Sequence, residues 1–371
     1  MFNLHVLQAR YGDSLLLEYG TDAAPRYTLI DGGPKGVYAK TLRRVLETLP
    51  APQSTLDLDL VVLSHIDEDH VQGLLDLYED LGYQRLHAQD RRIHIQELWH
   101  NAFNEVVGAD VAGRLARMLD RAGITRSSAS LTARATRSIE QGEQLTEFNR
   151  RLNVPRNLSV MPAQFVALEQ GANPVHLDNL TLHIVGPTAQ SLAALRTAWL
   201  TWLEEQERRL LAGATPSQSV ARGLDTSIPN LSSIMLLAEA DGKRILLTGD
   251  GRSDDLTRGL EQAGILAPGG TLHVDILKLP HHGSKRNITA AFLRRVTADT
   301  YVVSASGYHG HPALDTLKWI VTAAHEHRPI TIAATNETSA IRKLLETYDP
   351  ATYGYRLELL PAGQRKLVLT P

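Results

Sequence analysis

Short, branched apolar runs that end in polar clusters alternate along this chain with stretches of helical periodicity, and the two patterns lay out its elements. Phe2, Leu4 and Val6 alternate, Leu15, Leu16 and Leu17 follow Gly12 and Asp13, and Tyr27, Leu29 and Ile30 lead into Asp31, Gly32, Gly33 and Pro34. These read as the opening strands of a sheet, broken by turns. A helix is expected from Tyr38 to Leu49, stopped by Pro50. Leu60, Val61, Val62 and Leu63 form a continuous apolar run, the pattern of a strand buried on both faces. Beyond it Val71, Leu74, Leu75, Tyr78 and Leu81 recur at helical spacing, with Asp67 and Asp69 placed to cap the helix start and Gly82 to end it.

The second half repeats the plan. A loosely alternating segment from Arg91 to Trp99 runs into His100, and from Asn104 to Gln170 the chain turns helical and rich in arginine. Acidic residues offset many of those arginines, which is the usual composition of a solvated helical face; were the insert instead to form a groove for a polyanion, Arg150 and Arg151 would be expected on its contacting face. Strand patterns resume at His176, Leu180, Leu182, Ile184 and Val185. After a helix from Ala189 to Leu211 and a polar loop that includes Pro216 and Gly223, they continue through Ile234, Met235, Leu236 and Leu237, with a hairpin turn at Asp241 and Gly242. The strand from Arg244 to Leu247 delivers Asp250 between glycines. Another, from Val274 to Leu279, runs into Pro280, His281, His282, Gly283 and Ser284, and Tyr301 to Val303 leads to Gly310, His311 and Pro312.

Chemistry concentrates where the apolar strands stop. His65, Asp67, Asp69 and His70 fall within six residues between a strand and a helix. Capping that helix needs one carboxylate and no flanking histidine, whereas imidazole and carboxylate together are the donors that hold zinc or manganese. Asp250, with small neighbours that let the backbone come close, suits an ion-bridging carboxylate. Pro280 and Gly283 fix a turn that aims at least one of His281 and His282 across the sheet edge. Asp31 fits equally a turn residue beside two glycines.

The stretch from Ser64 to Gly73, SHIDEDHVQG, resembles the metal-binding motif of the metallo-β-lactamase superfamily. Asp67 stands where the usual pattern has a histidine, the variant of ComEC-type soluble hydrolase domains and their stand-alone relatives. LIDGGP, LLTGDG and PHHGS resemble the first, fourth and fifth motifs in order, and the Gly-His-Pro at 310–312 and the Tyr-Gly-Asp at 11–13 extend the likeness. The resemblance implies a four-layer αββα sandwich, read here as a single domain over 1–371 with a helical insertion at about 104–170. It also implies two divalent ions, zinc or manganese. His65, Asp67 and His100 would hold one, although His87 and His94 lie near His100; Asp69, His70 and one of His281 or His282 would hold the other. Asp250 would stand between them, and His311 would serve as a substrate or proton-transfer group at the mouth.

Composition narrows this picture. The 371 residues contain no cysteine, which excludes disulfides and thiolate ligands. A net charge of -3 argues against a general polyanion-binding surface. With no apolar run of membrane-spanning length and no basic-then-apolar opening, the expectation is a soluble, cytoplasmic protein without membrane association. The leading functional expectation is a hydrolase using a hydroxide shared by two metals on a phosphodiester, as a phosphodiesterase or nuclease. The alternatives are hydrolysis of a small ester, thioester or lactam, and a non-catalytic role in a larger assembly. Oligomeric state is not written in the sequence.

Overall fold

The computed structural model describes residues 1–51, 55–89, 92–122, 131–162, 165–170, 173–212, 229–324 and 329–371. The polar loop expected around Pro216 and Gly223 lies outside them. Among the described residues, no helix is long and apolar enough to cross a membrane.

Two large sheets carry the architecture. The first is built from β1 (Asn3–Leu7), β2 (Leu15–Thr21), β3 (Ala24–Ile30), β5 (Leu60–Val62), β7 (Leu98–Trp99) and β16 (Lys366–Leu369), in the order β16-β1-β2-β3-β5-β7. The second runs β15-β14-β13-β12-β11-β10-β9-β8, from β15 (Tyr355–Leu359) through β14 (Ile330–Ala334), β13 (Val296–Val303), β12 (Leu272–Lys278), β11 (Lys243–Leu247), β10 (Met235–Ala240) and β9 (Leu180–Gly186) to β8 (Val175–Leu177). β4 (Leu56–Leu58) and β6 (Ile93–Ile95) form a separate parallel pair. Each sheet is antiparallel at one end and parallel at the other, where β3, β5 and β7 in the first and β11 to β15 in the second run side by side.

Side chains alternate along each strand, so each sheet has two buried faces. Leu15, Leu17, Ile30, Leu60 and Val62 of the first sheet pack on Leu182, Ile184, Leu236, Ile245, Ile276 and Val302 of the second. The opposite face of the first sheet, with Leu16, Leu29 and Val61, is covered by the helix Glu68–Leu86 and by Trp199 and Trp202 of the helix Ala189–Leu211. On the second sheet Leu246, Leu277 and Val303 lie beneath Leu256, Phe292, Leu317 and Ile341. The layers are therefore helix, sheet, sheet, helix, the αββα sandwich that the metallo-β-lactamase resemblance implies. Val61 faces the helices while Leu60 and Val62 face the other sheet, as a strand buried on both faces requires.

Several local expectations shift. The helix after β5 does not stop at Gly82 but runs to Leu86, because a glycine in a helix interior costs only about 1 kcal/mol against alanine and helix formers follow it. Asp67 occupies the N-cap position yet its side chain accepts no capping hydrogen bond, so its carboxylate is withheld from the helix amides. The segment from Tyr38 begins as a π-helical turn, Tyr38–Leu42, before the short helix Arg43–Leu46. The stretch expected as one strand from Arg91 to Trp99 divides, its first part pairing with β4 and its second joining β5. Within the arginine-rich region, the helix Leu131–Leu152 packs on Glu68–Leu86, where the Tyr78 hydroxyl donates to Asn149 Oδ1 at 3.1 Å. Arg150 and Arg151 both bind Glu147 on the exposed side of that helix.

Candidate metal centre

Loops at the carboxyl ends of the parallel strands of both sheets meet at one edge of the sandwich: Asp31 after β3, Ser64 to His70 after β5, Asp250 after β11, His281 and His282 after β12, and Ser304 to His311 after β13. Two close backbone approaches hold the arrangement. A Cβ added to Gly12 would lie 1.9 Å from the carbonyl oxygen of Asp69, and one added to Gly73 would lie 1.9 Å from that of Gly32. Only glycine lets these chains touch, so the start of the helix Glu68–Leu86 is clamped between the first two loops.

Asp250 is the centre of the geometry. Its Oδ2 lies 3.7 Å from His65 Nε2 and 3.6 Å from His281 Nε2, while its Oδ1 lies 3.3 Å from His70 Nε2 and 3.7 Å from His282 Nε2. Asp67 Oδ2 is 3.7 Å from His65 Nε2, and Asp69 Oδ2 is 3.3 Å from His282 Nε2. Each carboxylate oxygen of Asp250 thus faces its own pair of imidazoles, with one further aspartate beside each pair. Both His281 and His282 turn toward Asp250, on a Pro280–Gly283 turn that holds them at φ 46° and 55°. Left-handed backbone at two successive histidines costs on the order of 1–3 kcal/mol each, strain of a kind that persists where the surrounding structure fixes it.

The outward nitrogens are tied down, which sets the inward ones. His70 Nδ1 donates to Asp31 Oδ2 at 2.8 Å, and His282 Nδ1 donates to the Ser304 carbonyl at 2.9 Å. His281 Nδ1 sits 3.0 Å from both Asn287 Oδ1 and Asn230 Nδ2. A proton held at Nδ1 by a carboxylate or carbonyl leaves Nε2 as the lone-pair donor facing the cluster, the tautomer a metal ligand needs. Asp31, besides holding His70, accepts from the Ser64 amide and hydroxyl, each at 2.7 Å. Its place as a buried anchor at φ 59° goes beyond a turn residue.

Asp13 and Lys278 lie behind His282. Lys278, the last residue of β12 and fully buried, places Nζ 2.6 Å from Asp13 Oδ2, and Asp13 Oδ1 lies 3.3 Å from His282 Nδ1. The Ser304 hydroxyl donates to the Gly12 carbonyl at 2.7 Å. These contacts join the first sheet's β1–β2 turn to the second sheet directly under the site. The apolar run that ends in Lys278 carries one signal that sequence reading passed over, a charge at the strand's last position before the histidine turn. Asn230 gives no such signal, since only the fold brings it to His281, and Asn287, a few residues beyond the histidine turn, is marked by nothing local.

Electrostatics agree with the geometry. Burial pushes the Asp250 carboxyl up, but His281, His70 and His282 together hold it well below the usual carboxylate range. Burial pushes His282 down, and Asp13 and Asp250 outweigh it, raising the imidazole to about 10. His70 is likewise held well above its ordinary value, Asp250, Asp31 and Asp69 outweighing its burial. So dense a set of carboxylates demands positive charge in the cluster. Asp13, His70, Asp250 and His282 each offer a ligand atom within 4.8 Å of the others, and each has a buried atom with no hydrogen-bond partner among the described residues. Buried polar atoms are ordinarily satisfied, so convergent orphan atoms of this chemistry fit a cation.

His65, Asp67, Asp69, His70, Asp250, His281 and His282 are brought together. His100 follows β7 at the same edge, its Nε2 buried with no hydrogen-bond partner among the described residues, its amide donating to Asn157 Oδ1 at 3.0 Å, and its Cε1 within 3.8 Å of where a Cβ on Gly142 would stand. The same Cβ would lie 2.8 Å from Ile66, between His65 and Asp67, so the helix Leu131–Leu152 backs directly onto the site loop. Burial pushes His100 down to about 3. His311 lies at the mouth, its ring 5.1 Å from that of His281 and its Nδ1 buried with no hydrogen-bond partner among the described residues.

No family model matches this chain, and no curated protein matches it. Among solved structures it is similar to a putative metal-dependent hydrolase from Parabacteroides distasonis ATCC 8503, at 10% identity and a TM-score of 0.36, over 96% of this chain and 92% of that one. It is also similar to a diphosphatase from the PhnP family, at 12% identity and a TM-score of 0.40, over 100% of this chain and 98% of that one. Likeness at this level says nothing about what this chain acts on.

Proposed function

We propose that this protein is a metal-dependent hydrolase of phosphodiesters, and the observation that carries the reading is Asp250 turning each of its oxygens to a separate pair of imidazoles. In this reading His65, Asp67 and His281 hold one divalent ion, with His100 as a further candidate, and Asp69, His70 and His282 hold a second, Asp250 being shared. Such ions supply a nucleophile at neutral pH and charge for the attacked centre.

The chain's own groups do the rest. Asp31, Ser304 and Asn287 hold the imidazoles by their outer nitrogens, which keeps the inner nitrogens aimed before anything binds. Asp67, Asp69 and His281 are the partly exposed members and form the side from which substrate approaches, whereas His65, His70, His282 and Asp250 form a dry floor. His311, whose ring lies 5.1 Å from that of His281, stands at that mouth as a candidate substrate-contacting group, its imidazole pushed down to about 4 by burial and by His281 and His282. Three aspartates among the inner groups make the site hard and negative, which favours manganese and a substrate that brings anionic oxygen rather than a neutral carbonyl.

The test is a metal-content measurement joined to turnover of phosphodiester and neutral ester substrates, with manganese and with zinc. Manganese-supported cleavage of a nucleotide phosphodiester is expected, with affinity that weakens as salt rises. Salt-insensitive turnover of a neutral ester, with both metals in place and no phosphodiester cleaved, would replace this reading with a small-ester hydrolase.

His100 has its own test. Replacing it by alanine is expected to weaken one ion by about tenfold or more, the scale of a group at or beside the ligands, whereas His87→Ala and His94→Ala leave affinity unchanged. His87 and His94 are exposed, and His94 is spent on Asp57. Equal metal retention in the three variants would remove His100 from the set.

A further inference from the structure

The loop after β13 places an exposed aromatic side chain beside the metal centre. Gly307 and Gly310, at φ 84° and 75°, close a tight turn in which the Gly310 amide donates to the Gly307 carbonyl at 3.0 Å, leaving Tyr308 and His309 at its tip. Tyr308 is 74% exposed.

This ring is held rather than loose. Its centroid is 5.2 Å from that of Tyr11 at an interplanar angle of 30°, a stacked pair, and His309 meets both rings edge-on at 4.7 Å and 5.4 Å. Tyr11 is in turn fixed by donating its hydroxyl to Glu68 Oε2 at 3.2 Å, and the Arg10 guanidinium lies 5.4 Å from the Tyr11 centroid. Both sides of the cluster are fastened to the site. Tyr11 precedes Gly12 and Asp13, and the Asp13 amide donates to the Asp69 carbonyl at 3.2 Å. Tyr308 and His309 lead through Gly310 to His311, which packs on His281, while the Ala313 amide donates to the Gly283 carbonyl at 3.0 Å.

We propose that Tyr308, backed by Tyr11 and edged by His309, is a stacking platform for the nucleobase next to the scissile phosphate, so that the substrate class is nucleotidyl rather than a generic phosphodiester. The inference rests on the reading of the site as a phosphodiesterase. A base carries a flat π-face one sugar away from its phosphate, and the platform stands one short loop away from the groups that would take that phosphate. Stacking of this kind is tolerant of base identity because every base offers such a face, so the platform selects nucleotides without selecting sequence. Arg10 adds a cation at its edge.

The experiment measures equilibrium binding of AMP and of ribose 5-phosphate to the manganese-loaded protein, for the wild type, Tyr308→Phe and Tyr308→Ala. In parallel, KM is measured for a dinucleotide and for its abasic counterpart. AMP is expected to bind about tenfold or more tighter than ribose 5-phosphate in the wild type and in Tyr308→Phe, the scale of one base–aromatic stack. In Tyr308→Ala the two probes should bind within about twofold of each other, and the KM advantage of the dinucleotide should vanish. Since Tyr308 is exposed, its loss leaves the fold intact. No preference for AMP, or a preference that survives Tyr308→Ala, overturns the platform. A Tyr308-dependent preference in a protein that cleaves no phosphodiester would sustain the platform and sink the phosphodiesterase reading, so the two fail separately.

Discussion

Asp250→Asn is expected to keep the fold and lose at least one equivalent of metal, with activity down on the order of 100-fold or more. An amide has the same shape as the carboxylate, but it carries no charge and offers only one oxygen. Whichever way it turns, its NH2 group faces one of the two imidazole pairs that Asp250 now separates, His65 with His281 or His70 with His282. An amide N–H hydrogen-bonds to the lone pairs that should hold a cation and repels the cation itself, so it competes with the metal instead of bridging it. Elemental analysis and turnover on the same preparation check this, with thermal unfolding to show that the protein stays folded. Full metal and full turnover would remove the shared-carboxylate assignment.

Lys278→Met should produce the largest loss of stability among single changes around the site. The Lys278 ammonium is fully buried against Asp13 and also donates to the Leu279 carbonyl at 3.0 Å. Burial pushes the Asp13 carboxyl up, and Lys278, His282 and His70 more than offset that. Removing the lysine leaves a buried carboxylate without its main counter-charge, a change that typically costs about 3–5 kcal/mol. Methionine fills much the same volume, so the loss is electrostatic rather than a cavity. Adding Asp13→Asn to Lys278→Met removes both charges and should recover most of the stability. Activity should not return in the double variant, because His282 then lacks the carboxylate beside its Nδ1. Denaturant unfolding of the wild type and the two variants decides it: a single variant within about 0.5 kcal/mol of the wild type would show that the pair contributes nothing net.

What could be read from the sequence was whatever is local in the chain. The apolar runs that end in His65, Asp250 and His281 gave strands of the right kind because burial on both faces leaves an unbroken apolar signature, as it does at Leu60, Val61 and Val62. The hairpin at Asp241 and Gly242 was legible for the same reason, its turn chemistry being confined to two residues. The illegible parts were tertiary. Lys278 looks like a stray charge until the β1–β2 turn of the other sheet brings Asp13 to it. Asn230 and Asn287 meet at His281 from segments far apart in the chain. Gly82 misled because a glycine permits a helix stop without compelling one. Asp67 was placed correctly on the helix and wrongly as a cap, since its carboxylate stays with His65.

The register of β1 has a consequence for how the molecule is made. Leu4 pairs with Leu369 and Leu7 with Lys366, so the first strand waits for nearly the whole chain before its outer neighbour exists. Until then β1 is an open sheet edge, the kind of surface on which chains associate wrongly. Pairings of such long range place the protein among slow folders, because loop closure must be met before the contact returns anything. The groups around Asp250 are spread from Asp13 to His311 across both sheets. No contiguous fragment shorter than 13–311 therefore contains them, and ion-binding competence should appear late and all at once in refolding, as a report that both sheets have closed.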